Sequence, residues 1–409
     1  MFAWDLRPFS DMLLGPVTRL LRCHRAIWVP AVAVCCGCAG STPMGPSGGI
    51  PPVAEPPPLP YGQVDRCGTY TGSGPFAVTS DIRSALPGCL KFEDNNSATL
   101  DCQGHDVTSI SLSKVQTFTI RDCSMRLAAV RTLEVVDSLN VTVDNVTVLG
   151  QVLITRTSQT VLTRSTFVWP RTTPSAGLKI SCELCFYDGQ NNLLSHSTVD
   201  GGWDGNTTTT YATQGVDSTV LINNQSGPSL IDNTLTNAFN AGIESVVNGE
   251  PVNAVISNNR ISHTGITGIL GGYNPGWQNS VFSGNNISES PSVLVFDSQD
   301  AKRAGVPGIV FVGNVIEGNT FSNAVRLPIA RGGGTPPALW IDYKTSGLPL
   351  TIANNVVRNN DFGFERRGPF LAPIEGFTDG GGNICLPPAS VNCTGSSMLP
   401  AMWSNPHRH

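Results

Sequence analysis

Two groups of residues carry types that could do chemistry. The first is His196 with Asp200, Gly201, Gly202, Trp203, Asp204 and Asp217. Carboxylates in such a stretch could hold Ca²⁺ through their oxygens, or serve as acid and base on a sugar. Trp203 and Tyr211 could stack on a pyranose face. Asp-Gly is equally a common turn pair, so the same residues also read as a bend. The second group is Asp297, Asp300, Lys302 and Arg303, followed by Arg326, Arg331, Asp342, Tyr343 and Lys344. Clustered cations lower the pKa of a neighbouring amine and turn it into a base. Lysine is scarce, 5 in the whole chain, so Lys302 and Lys344 stand out. Asp200, Asp204, Lys302 and Lys344 are therefore the catalytic candidates. No cofactor is implied, Ca²⁺ being the one ion these groups could take. His263, Arg366 and Arg367 read as surface residues, and His407 and His409 as tail composition. The chain has no phosphate-binding loop, dinucleotide fingerprint, serine-nucleophile elbow or zinc-protease motif.

The elements that must position these residues follow from composition and pattern. Of the 409 residues, only 13% are charged, about half the usual share. Lys and Arg total 25 against 30 Asp and Glu, a net charge of -5, which argues against nucleic acid as a partner. A 40% hydrophobic fraction is ample for a core and excludes global disorder. The 43 Gly, 30 Pro and 30 Asn supply turns.

One short phrase recurs: an apolar residue, two positions, a small polar residue, one position, another apolar residue. It is seen at Ile120 to Met125, Val143 to Val148, Leu162 to Phe167, Leu194 to Val199 and Leu230 to Leu235. It returns at Ile256 to Ile261, Phe282 to Ile287, Ile316 to Phe321 and Ile352 to Val357, and Leu100 begins the series. Apolar residues alternate in short bursts, the period of strands. Short strands, Asn turns and a repeat of variable length describe a coil that winds once per repeat. Asn tolerates left-handed backbone better than other residues that bear a side chain, which predicts it at the bend between two strands. Stacked from rung to rung, its amides would form a ladder, with Ile, Leu, Val and Phe pointing inward. The longer intervals place excursions between Phe167 and Leu194, between Val199 and Leu230, and after Leu235, Ile287 and Phe321.

Arg19, Arg22 and Arg25 precede an apolar run from Ala26 to Ala39. That run is shorter than the roughly 20 residues of a membrane span and suits a secretory leader. Residues 38–66, rich in Gly, Ser and Pro, read as a spacer. Eight cysteines follow: Cys67, Cys89, Cys102, Cys123, Cys182, Cys185, Cys385 and Cys393. An even number behind a leader implies disulfides and an oxidising compartment. Neighbours in sequence suggest 67–89, 102–123, 182–185 and 385–393, although spacing alone does not fix connectivity. With no second C-x-x-C, Cys182 and Cys185 read as a local bridge rather than a zinc half-site.

The repeat phrase and the segment Cys67-Gly68-Thr69, Ser80-Asp81-Ile82, Gly88-Cys89 and Thr99 to His105 resemble the right-handed parallel β-helix, or pectin-lyase-like, family. The resemblance implies an all-β, right-handed parallel β-helix solenoid of about ten coils with loop insertions, spanning residues 67–393. It implies that Cys67 and Cys89 bridge the start of the chain to the first rung, that Cys102 and Cys123 staple adjacent rungs, and that Gly380 to Asn383 with the Cys385–Cys393 loop close the far end. In lyases of this family a cation neutralises a uronate carboxylate and a Lys or Arg removes the C5 proton. The sequence completes no motif of the lyase, polygalacturonase or alginate-epimerase branches. Val34-Cys35-Cys36-Gly37-Cys38 resembles a bacterial lipobox, which implies a leader over residues 1–37 and lipid on Cys38. Cys35 and Cys36 depart from that pattern and make Cys36 a rival acceptor; ordinary cleavage with free secretion is the alternative. Residues 394–409 read as a disordered tail.

The expectation is a monomeric, lipid-anchored module of the cell envelope, at the outer membrane, or a secreted one. It would engage a polysaccharide through a groove lined by insertions and touch the membrane only through its lipid. The alternatives are a lyase, epimerase or hydrolase acting on an acidic glycan, and a non-catalytic adhesive rod.

Overall fold

The computed structural model describes residues 62–84, 88–127, 131–170, 182–205, 215–245, 252–272, 276–297, 308–325, 338–342, 349–361 and 376–383. They fall within one compact unit, Pro58–Arg408. Among them there is no helix, and every strand pairing is parallel. A typical coil runs Ser218–Ser226, Ser229–Ile231 and Thr234–Ala238, one strand in each of three sheets. The first sheet stacks 11 strands, the second 13 and the third 9, each strand pairing with its counterpart a coil away. Gly276–Gln278, Ile309–Val312 and Leu350–Ala353 form a further short sheet. The architecture is a right-handed parallel β-helix. Its first strand, Gln63–Val64, lies just before Cys67.

Alternation explains the core. In the first sheet, Val152, Leu184, Val220, Ile243, Ile269 and Leu294 fall in one register column and are fully buried. The apolar residues that open the repeat phrase, Ile120, Val143, Leu162, Leu194, Leu230, Ile256, Phe282 and Ile316, form a second column in the second sheet. Each buried aliphatic side chain contributes about 1.5–3 kcal/mol. At the amino-terminal end the core between the sheets is aromatic: Tyr70 stacks on Phe92 at 5.3 Å, and Phe92 tilts against Phe118 at 5.0 Å. Burial, then the charge of Asp65, pushes the Tyr70 phenol up to about 12, and its hydroxyl donates to the Arg66 carbonyl at 2.7 Å.

The recurring Asn does stack, but not for the reason its sequence context suggests. Asn233, Asn259, Asn285, Asn319, Asn360 and Asn383 are buried, and each amide donates to the Oδ1 of the next at 2.9–3.0 Å. The same Oδ1 also takes the preceding Asn's backbone N–H. The residue in left-handed backbone is the one before: Asp232, Asn258, Gly284, Gly318, Asn359 and Gly382. The polar slot is thus an inward hydrogen-bonding position, and its outward neighbour turns the chain. Ser165 and Ser197 fill that slot in earlier coils through their hydroxyls.

A second ladder at the turn into the second sheet joins Ser280, Asn314 and Asn355. This corrects the last repeat phrase. Ile352 pairs with Phe311 in the short sheet, and Asn355 continues the second ladder. Val357 and Asn360 are the true counterparts of Ile316 and Asn319.

Cys67–Cys89, Cys102–Cys123 and Cys182–Cys185 are bridged; Cys385 and Cys393 lie outside the described residues. Non-reducing peptide mapping should return these three linkages; a free thiol at Cys67 or Cys89 would contradict the geometry. Cross-rung pairs such as Arg156 with Asp137 and Arg121 with Asp101 decorate the outer surface. Exposed as they are, each is worth at most about 1 kcal/mol.

Candidate functional site

Where the chain leaves the coil is not random. From Arg121 onward the turn from the second sheet to the third stays two residues long, as at Asp232-Asn233, Asn258-Asn259 and Gly284-Asn285. The excursions flank the first sheet instead. On one edge the chain departs between Val168 and Cys182, between Asp200 and Ser218, and between Ser322 and Leu339. On the other it departs between Ser245 and Val255, between Asp297 and Ile309, and between Asp342 and Leu350. A long segment cannot leave from inside a paired strand, and the departure points lie at both ends of the first sheet's strands.

That face has its own column: Leu153, Cys185, Leu221, Glu244, Leu270 and Val295, in register across successive rungs. Cys182, Cys185 and Leu221 pack together apart from the main core, as do Ala241, Leu270 and Val295. Gln151 caps the disulfide from the preceding rung, donating to the Cys182 carbonyl at 3.0 Å. Glu244 is the one charge among these six and is only 4% exposed. The Ser218 hydroxyl donates to one of its oxygens, and the Asn240 amide to the other at 3.2 Å.

At the corner between the third and first sheets, the excursion after Asp200 begins and ends on a backbone lattice. Gly201 N–H donates to the Thr236 carbonyl at 2.9 Å, Trp203 N–H to Asn237 at 2.8 Å, and Val216 N–H back to Gly201 at 2.9 Å. The Asp200 carboxylate takes the Gly202 N–H at 2.9 Å and the Asn237 amide at 2.8 Å. Gly215, at φ 77, folds so closely over Trp203 that a Cβ would stand 2.6 Å from its backbone nitrogen. Only glycine fits there.

Trp203, read from sequence as a sugar-stacking ring, packs edge-on against Phe239 at 6.0 Å and is 5% exposed. Trp169 packs on Val216 beside it. The indole N–H of Trp203 is buried without an acceptor. Asp217 is buried, and Asp204 is exposed.

The structure therefore brings Asp200, Asp204 and Asp217 to one corner and separates His196 from them. His196 sits in the left-handed turn at the far end of the strand Thr198–Asp200, facing Asp232 at 3.6 Å. His263 is an exposed residue in left-handed backbone within the strand Arg260–Thr264, paired with Glu289 at 2.7 Å. Asp297 and Asp342 occupy register-matched positions on neighbouring strands. Lys302, Lys344, Asp300, Arg303, Arg326, Arg331, Tyr211 and Tyr343 lie outside the described residues. Among the described residues no group of three or more His, Cys, Asp or Glu side chains could hold a metal ion.

Sequence reading missed two acids. Glu244 is one. The other is Glu183, wholly buried with no hydrogen bond to either carboxyl oxygen. Burial first, then the charge of Asp200, pushes its carboxyl well above the usual range. The signal was present: each acid interrupts an otherwise apolar strand, in Cys-Glu-Leu-Cys and in Gly-Ile-Glu-Ser.

Residues 215–368 match the family described as a right handed beta helix region. Among solved structures, the Dettilon tailspike protein aligns at a TM-score of 0.47 and 11% identity, over 72% of this chain and 59% of that one. PfbA, a surface adhesin of Streptococcus pneumoniae, aligns at 0.42 and 13%, over 72% and 75%. The tailspike of E. coli bacteriophage HK620, solved with a pentasaccharide, aligns at 0.44 and 9%, over 73% and 56%. The chain thus spans less than two thirds of either tailspike. No curated protein matches the sequence.

Proposed function

We propose that this right-handed parallel β-helix repeat protein is an extracytoplasmic module that engages polysaccharide across the outer face of its first sheet. The observation that carries the reading is the placement of the excursions. They leave the solenoid at both edges of that one sheet, while the turn between the other two sheets stays minimal. A rigid floor with walls of adjustable length is how a repeat fold builds a binding surface. Function is grafted onto such a scaffold through the insertions rather than encoded in the coil.

Three bridged cysteine pairs fit an oxidising compartment, and the leader with Cys38 would fix the module to the envelope. The Pro-rich spacer then holds the coil away from its anchor. Labelling with radioactive palmitate should mark the wild type and fail in Cys38→Ala; equal labelling would remove the anchor from the reading. For the binding surface, a glycan array probed with residues 62–383 should return a carbohydrate ligand. An array with no signal, from folded protein, would leave a structural rod as the better account.

Carboxylates at the corner favour hydrolysis as the enzymatic version of this reading. Glycosidic cleavage uses an acid and a base of this type, whereas β-elimination on a uronate needs cations. Reducing-sugar release from an array-positive glycan distinguishes an enzyme from a binder.

A further inference from the structure

The outer face of the second sheet is built differently from that of the third. Two outward columns run along it in unbroken register over ten rungs, one from Thr99 to Val356 and the other from Asp101 to Arg358. The middle five rungs are Val161–Thr163, Leu193–Ser195, Ser229–Ile231, Val255–Ser257 and Val281–Ser283, and in each the first and last residues point outward. Those ten positions hold five aliphatic and five hydroxyl side chains and no charge, and all but Ser195 keep partial access to solvent. The matching positions of the third sheet in the same coils include Asp200 and Arg260, and Val168 is their single aliphatic residue. Aliphatic residues scattered on a surface mean little, whereas a flat row of them in register suits a partner.

Charge returns at both ends of the second column, and its order indicates which partner. From the amino-terminal end the column begins Asp101, Arg121, Asp144 and it closes Glu317, Arg358. Within the chain Asp101 pairs with Arg121, Asp144 with Arg164, and Glu317 with Arg358. When a second copy is laid face to face with its coil reversed, each rung meets the one counted equally far from the other end. Asp101 then faces Arg358 and Arg121 faces Glu317, and two-fold symmetry makes each contact twice. A slip of one rung sets Asp144 against Glu317 and Arg121 against Arg358. A slip the other way sets Asp101 against Glu317. One register is therefore selected, and it places Val161 against Val255 and Ser195 against Ile231.

We infer that two copies of this chain associate, coils antiparallel, through the outer faces of their second sheets. Ten rungs at about 4.8 Å make a face roughly 43 Å long and, with its flanking turns, roughly 15 Å wide. That is roughly 650 Å², close to the about 800 Å² per partner of a standard interface. The two-residue turns into the third sheet leave one edge of the face open from Arg121 onward. The aliphatic rungs supply the apolar centre, and the charged rungs at either end set register and orientation. The polysaccharide reading concerns the first sheet and stands or falls separately.

Sedimentation velocity of the purified full chain should show a dimer that dissociates on dilution. Asp101→Arg combined with Arg121→Asp keeps the pair within the chain but sets like charges against Arg358 and Glu317 of the second copy. It should raise the dissociation constant about tenfold or more, with an unchanged melting curve. Adding Glu317→Arg and Arg358→Glu restores opposite charge across the interface and should bring the constant back to within about threefold of wild type. Ser257→Arg, an outward change amid the uncharged rungs, should separate the copies by itself. A wild type that sediments as a monomer at every concentration would overturn the inference. So would a dimer indifferent to the two-residue swap, or one that the four-residue swap, still folded, fails to rescue. A monomer whose Ser257→Arg variant loses an array-positive glycan would reassign the face to that ligand and overturn it as well.

Discussion

Asn259→Ala should destabilise the solenoid by about 3–5 kcal/mol, the largest loss expected from any single surface-neutral change. Asn259 Oδ1 accepts both the backbone N–H and the amide of Asn233, at 3.1 and 3.0 Å. Its own amide donates to the Leu230 carbonyl at 2.8 Å and to Asn285 Oδ1 at 3.0 Å. Alanine removes all four contacts and strands the N–H groups of Asn233 and the carbonyl of Leu230 in a buried turn, while Asn285 Oδ1 keeps only the backbone N–H of residue 259; each stranded group costs roughly 1–3 kcal/mol less whatever relaxation recovers. Asn259→Asp should be at least as damaging, because a carboxylate would face two oxygens that now receive N–H groups. Urea unfolding followed by tryptophan fluorescence and circular dichroism measures the loss. In a nearest-neighbour stack, the transition should also broaden as the two halves of the coil uncouple. A shift under about 1 kcal/mol would mean that the ladder is decoration rather than a structural spine.

Glu183→Gln should have the opposite sign. Burial and the charge of Asp200 raise the Glu183 carboxyl, so the folded protein holds it protonated over a pH range in which the unfolded chain has released the proton. A group raised in this way contributes stability that is complete below its unfolded value, the ordinary glutamate value of 4.5, and is lost as pH rises through the folded value. Glutamine has no proton to lose. The variant should therefore be more stable than wild type at pH 8, by roughly 1–3 kcal/mol, and nearly equal to it by about pH 4. Urea midpoints across that range test the claim, since pH effects from all other groups cancel in the difference. A variant less stable than wild type at pH 8 would mean that the carboxyl is held by contacts its burial does not suggest.

Sequence alone carried the coil, because its cause is local and repeated. Ile120, Leu162, Leu230 and Phe282 announce one column by spacing and type, and the structure stacks them. The role of the Asn was not legible. Asn satisfies two different demands, left-handed backbone and a buried amide, and sequence cannot tell which is being met. The neighbouring Asp232, Gly284 and Asn258 show that the two demands fall on adjacent residues. The last phrase failed for a related reason: Ile352-Ala-Asn-Asn355 satisfies the pattern, yet belongs to the other ladder, since both ladders use the same chemistry. At the site, Asp200, Asp204 and Asp217 were found because loops rich in Gly and Asp advertise themselves. Glu183 and Glu244 were not, because a lone acid in an apolar strand declares itself only once its burial is known. His196 was grouped with Asp200 by nearness in sequence, and an extended strand carries neighbours apart.

The even interval between Asn233, Asn259 and Asn285, 26 residues in each case, has a genetic corollary. Excising residues 256–281 would join Val255 to Phe282 and hand the amide of Asn233 directly to Asn285, with Val255 and Val281 already equivalent in register. Length is thus something mutation can alter by a whole winding at a time, in either direction, without redesigning either terminus. Adding or removing this 26-residue unit would lengthen or shorten the coil by one winding and leave the corner at Asp200 and Trp203 untouched.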